Sequence, residues 1–111
     1  MGAEEYQVDN RLPSESYRVA AKDWVAKDGA ARLLEDSKSA VMAQRMAALG
    51  DMAVNKAEQT VKASEEWDAY IKVMVEARTA ANLAKVKTEW CRMRFMEWQS
   101  ENANKRAEMR L

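Results

Sequence analysis

The last two-fifths of the chain carry apolar residues at helical spacing. From Glu65 to about Arg110 there is neither Pro nor Gly, which predicts one helix of about 45 residues, roughly 67 Å long. One apolar stripe along this helix steps alternately by four and three residues, as the seam of a coiled coil does. We call this stripe the seam; it consists of Tyr70, Met74, Ala77, Ala81, Ala84, Thr88, Cys91 and Phe95, and Trp98 and Asn102 continue it. We predict that the seam serves self-association.

A second set of apolar residues falls on the opposite side of the same helix, roughly 130–160° or more away at 100° per residue. We call it the second apolar face; it consists of Val75, Leu83, Val86, Trp90 and Met93. A helix that is apolar on two opposed sides must be covered twice. Residues 30–62 can fold back antiparallel over one side for about 50 Å, and residues 14–27 cover only part of the other. The pattern therefore predicts a homo-oligomer, first a two-fold dimer, or another protein partner.

Helix start and stop signals predict an arm and a short helix at the beginning of the chain. Residues 1–13 have no steady period and end in the only Pro, so we predict an N-terminal arm. Ser14 is the predicted N-cap of a short helix over residues 14–27, with Glu15 in its first turn. The dipeptide at 28–29, Asp-Gly, is read as the end of that helix.

The middle of the chain is rich in residues that favour helix, and residues 30–62 are predicted to form the second helix. Gly50-Asp51 interrupts its apolar side, which indicates a kink or a short break. Ser64 is the clearest N-cap in the chain, because Glu65 and Glu66 follow it and suit the positive end of the helix dipole.

These elements predict an all-α fold. It is an elongated antiparallel helical hairpin or coiled coil, with a long C-terminal helix and a short N-terminal helix, in a single helical domain over residues 14–111. Three Gly and one Pro in 111 residues leave too few turns for a β fold. Residues 1–68 carry nine basic and 13 acidic side chains, and residues 69–111 carry nine basic and five acidic. Opposite charge therefore favours pairing of the two halves.

The composition excludes several kinds of catalytic and metal site. There is no His, and Cys91 is the only Cys, which removes His-based acid–base chemistry, Ser-His and Cys-His nucleophiles, and His or paired-Cys metal sites. Glu65, Glu66 and Asp68 lie together at a helix start, so helix capping explains them better than a metal cluster does. We predict a protein that is not an enzyme and has no catalytic, cofactor-binding or metal-binding residues.

Cations and one aromatic residue follow a line on the long helix, and we call them the basic line: Lys87, Arg94, Trp98 and Lys105. Such a line can bind nucleic acid, with phosphates on the cations and a base stacked on Trp98. Its cations can instead pair with acidic residues such as Asp51 and Glu58, and we favour this second interpretation because charged helix faces are usually solvated or paired. No known nucleic-acid-binding module is present.

The first residues are acidic and lack the apolar run of a signal peptide. No stretch approaches the roughly 20 apolar residues of a membrane span, and a single Cys suits a reducing compartment. We therefore expect a cytoplasmic protein without a membrane partner.

Four segments, SYRVAAKDWV, SAVMAQRMAALGDM, VKASEEW and EARTAANLAKVKTEWCRMRFMEWQSENANKRAEMRL, resemble small uncharacterised helical proteins of alphaproteobacterial phages and prophages. The resemblance covers most of the chain, from Ser14 to Leu111, and transfers no catalytic residue. It implies a viral accessory protein that acts near DNA or on a host protein, in the host cytoplasm if the chain is phage-encoded.

The combined expectation is a non-enzymatic, phage-type accessory protein in DNA metabolism. It would act by protein–protein contacts with a phage or host protein, and would touch DNA, if at all, through the basic line. The alternative is a protein that binds only proteins: a structural or assembly factor, or an inhibitor of a host defence protein.

Overall fold

A computed structural model describes residues 11–110 of the chain. These residues contain three helices and no strand: α1 (Pro13–Ala48), α2 (Val54–Lys62) and α3 (Glu65–Met109). The predicted all-α class and the long C-terminal helix are therefore confirmed. Residues 1–10 of the predicted N-terminal arm lie outside the described residues.

Helix α1 begins at Pro13, one residue before the predicted start. The backbone N–H groups of Glu15 and Ser16 donate to the Leu12 carbonyl at 2.9 and 3.0 Å, so Ser14 is not the N-cap. Proline suits the first helical position because its ring presets φ and its missing N–H would have no partner there. Glu15 lies in the first turn as predicted, and its carboxylate pairs with Arg18 at 2.6 Å.

The predicted end of a short helix at residues 28–29 is wrong, because α1 continues without a break to Ala48. A glycine inside a helix costs only about 1 kcal/mol. The carboxylate of Asp28 offsets part of this cost, since it pairs with Arg32 one turn later at 2.8 Å and with Arg78 of α3 at 2.8 Å. Aspartate at this position thus stabilises the helix interior instead of ending the helix.

The predicted break at Gly50 is present. Helix α1 ends at Ala48, and Gly50 has φ +82°, the left-handed conformation that favours glycine after a helix C-terminus. The N–H of Gly50 donates to the Ala47 carbonyl at 3.2 Å. Helix α2 then begins at Val54, so the second predicted helix is in fact two elements joined by a short connection.

Ser64 caps α3 as predicted. Its Oγ accepts the N–H of Trp67 at 3.2 Å and donates to the Val61 carbonyl at 2.6 Å, which links the end of α2 to the start of α3. Trp67 is buried and stacks on Tyr70, with ring centroids 5.6 Å apart. The cap and this stack together set the beginning of the long helix.

The helices pack in two compact units. In the first unit, residues 11–24 of the chain pack with residues 83–110. Tyr17 lies against Phe95, with ring centroids 6.2 Å apart, and the Ala20 carbonyl accepts the Thr88 hydroxyl at 3.0 Å. From the first of these contacts to the second, the residue number increases in α1 and decreases in α3, so the two helices are antiparallel in this unit. Small buried side chains form this core: Ala20, Ala84, Thr88 and Cys91.

The second unit comprises residues 25–82. Here also α1 and α3 are antiparallel, since Asp28 contacts Arg78 and the Leu34 carbonyl accepts the hydroxyl of Tyr70. The buried residues are Ala31, Ala57, Val61, Trp67 and Ala81. Ala57 and Val61 are four residues apart in α2, so this short helix buries one face.

Candidate interaction surface

The seam of α3 is covered by α1 of the same chain. All eight seam residues are buried or half-buried. In the second unit Tyr70 donates to the Leu34 carbonyl, and in the first unit Thr88 donates to Ala20 and Phe95 packs on Tyr17. The spacing therefore located a true packing face, but the partner is the antiparallel helix of the same chain. The prediction that the seam serves self-association needs correction, because its small side chains are already occupied by α1.

Arg78 is the central polar contact between α1 and α3 in the second unit. Its guanidinium donates to Glu35 through two nitrogens, at 2.9 and 2.7 Å, and to Asp28 at 2.8 Å. These hydrogen bonds hold the pKa of both carboxyl groups below the usual range, and Glu35 and then Asp28 raise the pKa of Arg78. The expected attraction between the acidic first part of the chain and its basic second part is thus seen at Arg78, whose two partners lie in α1.

We expect Arg78→Gln to lower the urea midpoint of unfolding at pH 7, because it leaves two partly buried carboxylates without their cation. The folded-state pKa values of Asp28 and Glu35 are depressed, so the stability they contribute is present above their unfolded pKa of about 4. This contribution to stability is lost as the pH falls through the folded-state pKa values of the two carboxyl groups. The difference between wild type and variant should therefore shrink in acid.

The control for this experiment is Arg92→Gln, which removes an exposed guanidinium of the same helix. Within residues 11–110 its only hydrogen bond is a 4.0 Å contact with the sulfur of Met96. Its urea midpoint should follow that of the wild type at every pH. A constant difference between wild type and Arg78→Gln from pH 7 to strongly acidic pH would contradict the assignment.

The second apolar face is exposed throughout. The exposed fractions are 60% for Leu83, 63% for Val86, 46% for Trp90 and 57% for Met93, all in the first unit. Val75, in the second unit, is 55% exposed. Large apolar side chains that share one side of a helix and lie in water mark a contact surface. Of the two predicted apolar stripes of α3, this is the one that residues 11–110 leave exposed.

The basic line is only partly a single surface. Lys87, Arg94 and Lys105 are exposed, and none of them forms an ion pair within residues 11–110. Trp98 is half-buried and stacks on Phe95, with ring centroids 6.2 Å apart, so it extends the packing of the seam. Its spacing of three from Phe95 already indicated this. The suggested partner Glu58 pairs instead with Lys62 of its own helix, at 2.9 Å.

Two features of the exposed surface were missed by sequence reasoning. The guanidinium of Arg94 lies over the ring of Trp90, 5.2 Å from its centroid, so a cation of the basic line joins the second apolar face. Met96, three residues after Met93 and 53% exposed, adds one more apolar side chain beside this face. The contact between Arg94 and Trp90 could have been predicted, because residues four apart are neighbours on the surface of a helix.

Within residues 11–110, no three His, Cys, Asp or Glu side chains are placed so that they could hold a metal ion. In the same range, no helix combines the length and apolar character needed to cross a bilayer. Comparison with protein-family models, curated proteins and solved structures finds no match to this chain.

Proposed function

We propose that the chain is a non-enzymatic helical interaction protein that binds a protein helix through the second apolar face of α3. The observation that carries the proposal is the exposure of Leu83, Val86, Trp90 and Met93 on one side of a helix whose other side is packed on α1. The resemblance to phage and prophage proteins supports a phage-type accessory role in DNA metabolism, in the cytoplasm of the host.

The composition of this face matches that of protein interfaces. Trp and Arg dominate the binding energy of many interfaces, and Met is enriched there. Trp90 lies at the centre of the face, with Arg94 on its ring and Met93 beside it. Complete burial of a large apolar side chain contributes about 1.5–3 kcal/mol. The apolar side chains of this face are 46–63% exposed, so covering each of them contributes about half of that, before the entropy cost of association.

The test is capture of proteins from an extract of alphaproteobacterial cells by the immobilised chain. Trp90→Glu places a charge at the centre of the face and should abolish capture of a protein that the wild type retains. Leu33→Glu is the matched control, because Leu33 is a 68% exposed apolar residue of α1. A Trp90→Glu chain that retains the same proteins as the wild type would refute the proposed face.

Contact with DNA is a second candidate, favoured by the exposure of Lys87, Arg94 and Lys105 and by their lack of ion pairs among the described residues. Titration of single- and double-stranded DNA at low salt should then show binding that weakens as salt rises and in the double variant Lys87→Glu/Arg94→Glu. Absence of binding at low salt would leave the protein-only alternative, an assembly factor or an inhibitor of a host defence protein.

A further inference from the structure

We propose that the helix bound by the second apolar face is α3 of a second copy of this chain, in a parallel, in-register coiled coil over residues 83–96. The inference rests on the proposed function, since it names the partner of the same face. It moves self-association from the seam, which α1 covers, to the opposite side of α3, which is exposed.

The exposed residues of the first unit follow a heptad pattern. Leu83 and Trp90 fall at successive a positions, and Val86 and Met93 fall at the d positions that follow them. All four side chains are between 46% and 63% exposed. Two consecutive heptads therefore present an apolar a/d stripe that no other part of the described chain covers.

The charges that flank the stripe select the orientation of the two helices. Lys87 and Arg94 occupy the e positions, and Glu89 and Met96 occupy the g positions. In a parallel pair, each g residue faces the e residue of the next heptad of the other helix. Glu89 of each copy would then meet Arg94 of the other, so the dimer would contain two salt bridges related by the two-fold axis.

An antiparallel pair of the same helices brings like charges together. Residues at e positions then face e positions, and residues at g positions face g positions. Glu89 would lie near Glu89 of the second copy, and the cations Lys87 and Arg94 would lie near one another. Repulsion on both flanks disfavours this arrangement, so the charges that flank the stripe fit a parallel second copy.

The ends of the contact are also visible in the sequence. The a positions before and after the stripe are Glu76 and Glu97, and the adjacent d positions are Thr79 and Ser100. All four side chains are exposed. Carboxylates at these positions must remain in water, which limits the apolar contact to two heptads. The expected dimer is therefore weak and reversible.

The rest of the first unit leaves room for this contact. Residues 13–24 of α1 pack on the seam, roughly 170° around α3 from the centre of the stripe at 100° per residue. Arg94, already over Trp90, needs only to extend past the ring to reach a carboxylate of the second copy. A second α3 can thus approach without displacing α1.

The test is a charge-swap series measured by sedimentation equilibrium in the micromolar to millimolar range. The wild type should be a reversible dimer. Glu89→Arg and Arg94→Glu, each alone, should weaken the dimer about tenfold or more, because each converts two attractions into two repulsions. The double variant should recover wild-type affinity, and a mixture of the two single variants should form mainly the heterodimer, which regains both attractions.

A disulfide between engineered cysteines, one in each copy, reports directly whether the two α3 helices are parallel. Ser100→Cys lies at the d position just past the stripe and should form a disulfide between copies under mild oxidation, whereas Gln99→Cys, an exposed control on the c position, should not. Stronger association of Arg94→Glu than of the wild type would indicate antiparallel pairing and would overturn the proposal.

A wild type that stays at 12.6 kDa throughout also overturns it. The capture experiment then decides the proposed function separately, since loss of a captured protein in Trp90→Glu would show that the face binds a different partner. Failure of both experiments would remove the face as an interaction surface.

Discussion

Ala81→Lys is expected to lower the free energy of unfolding by about 3–5 kcal/mol. Ala81 is 0% exposed, in the middle of the seam where α3 packs on α1 within the second unit. A lysine there must either force the two helices apart or leave an ammonium group without water or a counter-ion. Both consequences destabilise the same contact.

Ala69→Lys provides the control, because Ala69 belongs to the same helix and is exposed. It introduces the same side chain and charge and should change the free energy of unfolding by no more than about 0.5 kcal/mol. Urea unfolding followed by circular dichroism measures both variants. Equal stabilities of the two lysine variants would show that the seam is not the packing face.

Trp67→Ala is expected to cost about 3–5 kcal/mol of unfolding free energy. Trp67 is 7% exposed and is the largest side chain among the buried residues of the described chain. It also stacks on Tyr70, whose hydroxyl donates to Leu34 of α1. Removing the indole therefore leaves a cavity next to the contact that joins α3 to α1.

Trp90→Ala removes the same side chain from a 46% exposed position of the same helix. At concentrations where the chain is monomeric, its free energy of unfolding should stay within about 0.5 kcal/mol of the wild type. Chemical denaturation of dilute protein compares the two variants. A Trp67→Ala chain as stable as Trp90→Ala would contradict the burial of Trp67.

The long helix and its two apolar sides could be predicted because they depend on local information. Glu65 to Met109 contains no helix-breaking residue, and the steps of four and three along α3 locate the buried side residue by residue. Ser64 was also found correctly, because an N-cap is a short-range hydrogen bond between neighbours in the chain.

Long-range contacts explain what the sequence did not predict. Asp28 looks like the end of a helix until Arg78, fifty residues later, is seen to bind its carboxylate. Periodicity likewise showed two apolar sides of α3 without indicating which of them α1 covers. The small residues of the seam, such as Ala81 and Ala84, allow the closer approach of two helices, and this decides the choice in the structure.

The cores of both units depend on small side chains, and among the described residues no large side chain is below 2% exposed. Each alanine adds little apolar surface to water when the chain unfolds, and apolar hydration is the main source of the heat-capacity increase on unfolding. This increase should therefore fall below the usual value of about 12–15 cal/mol/K per residue. A stability curve of low curvature with temperature follows from a core made largely of methyl groups.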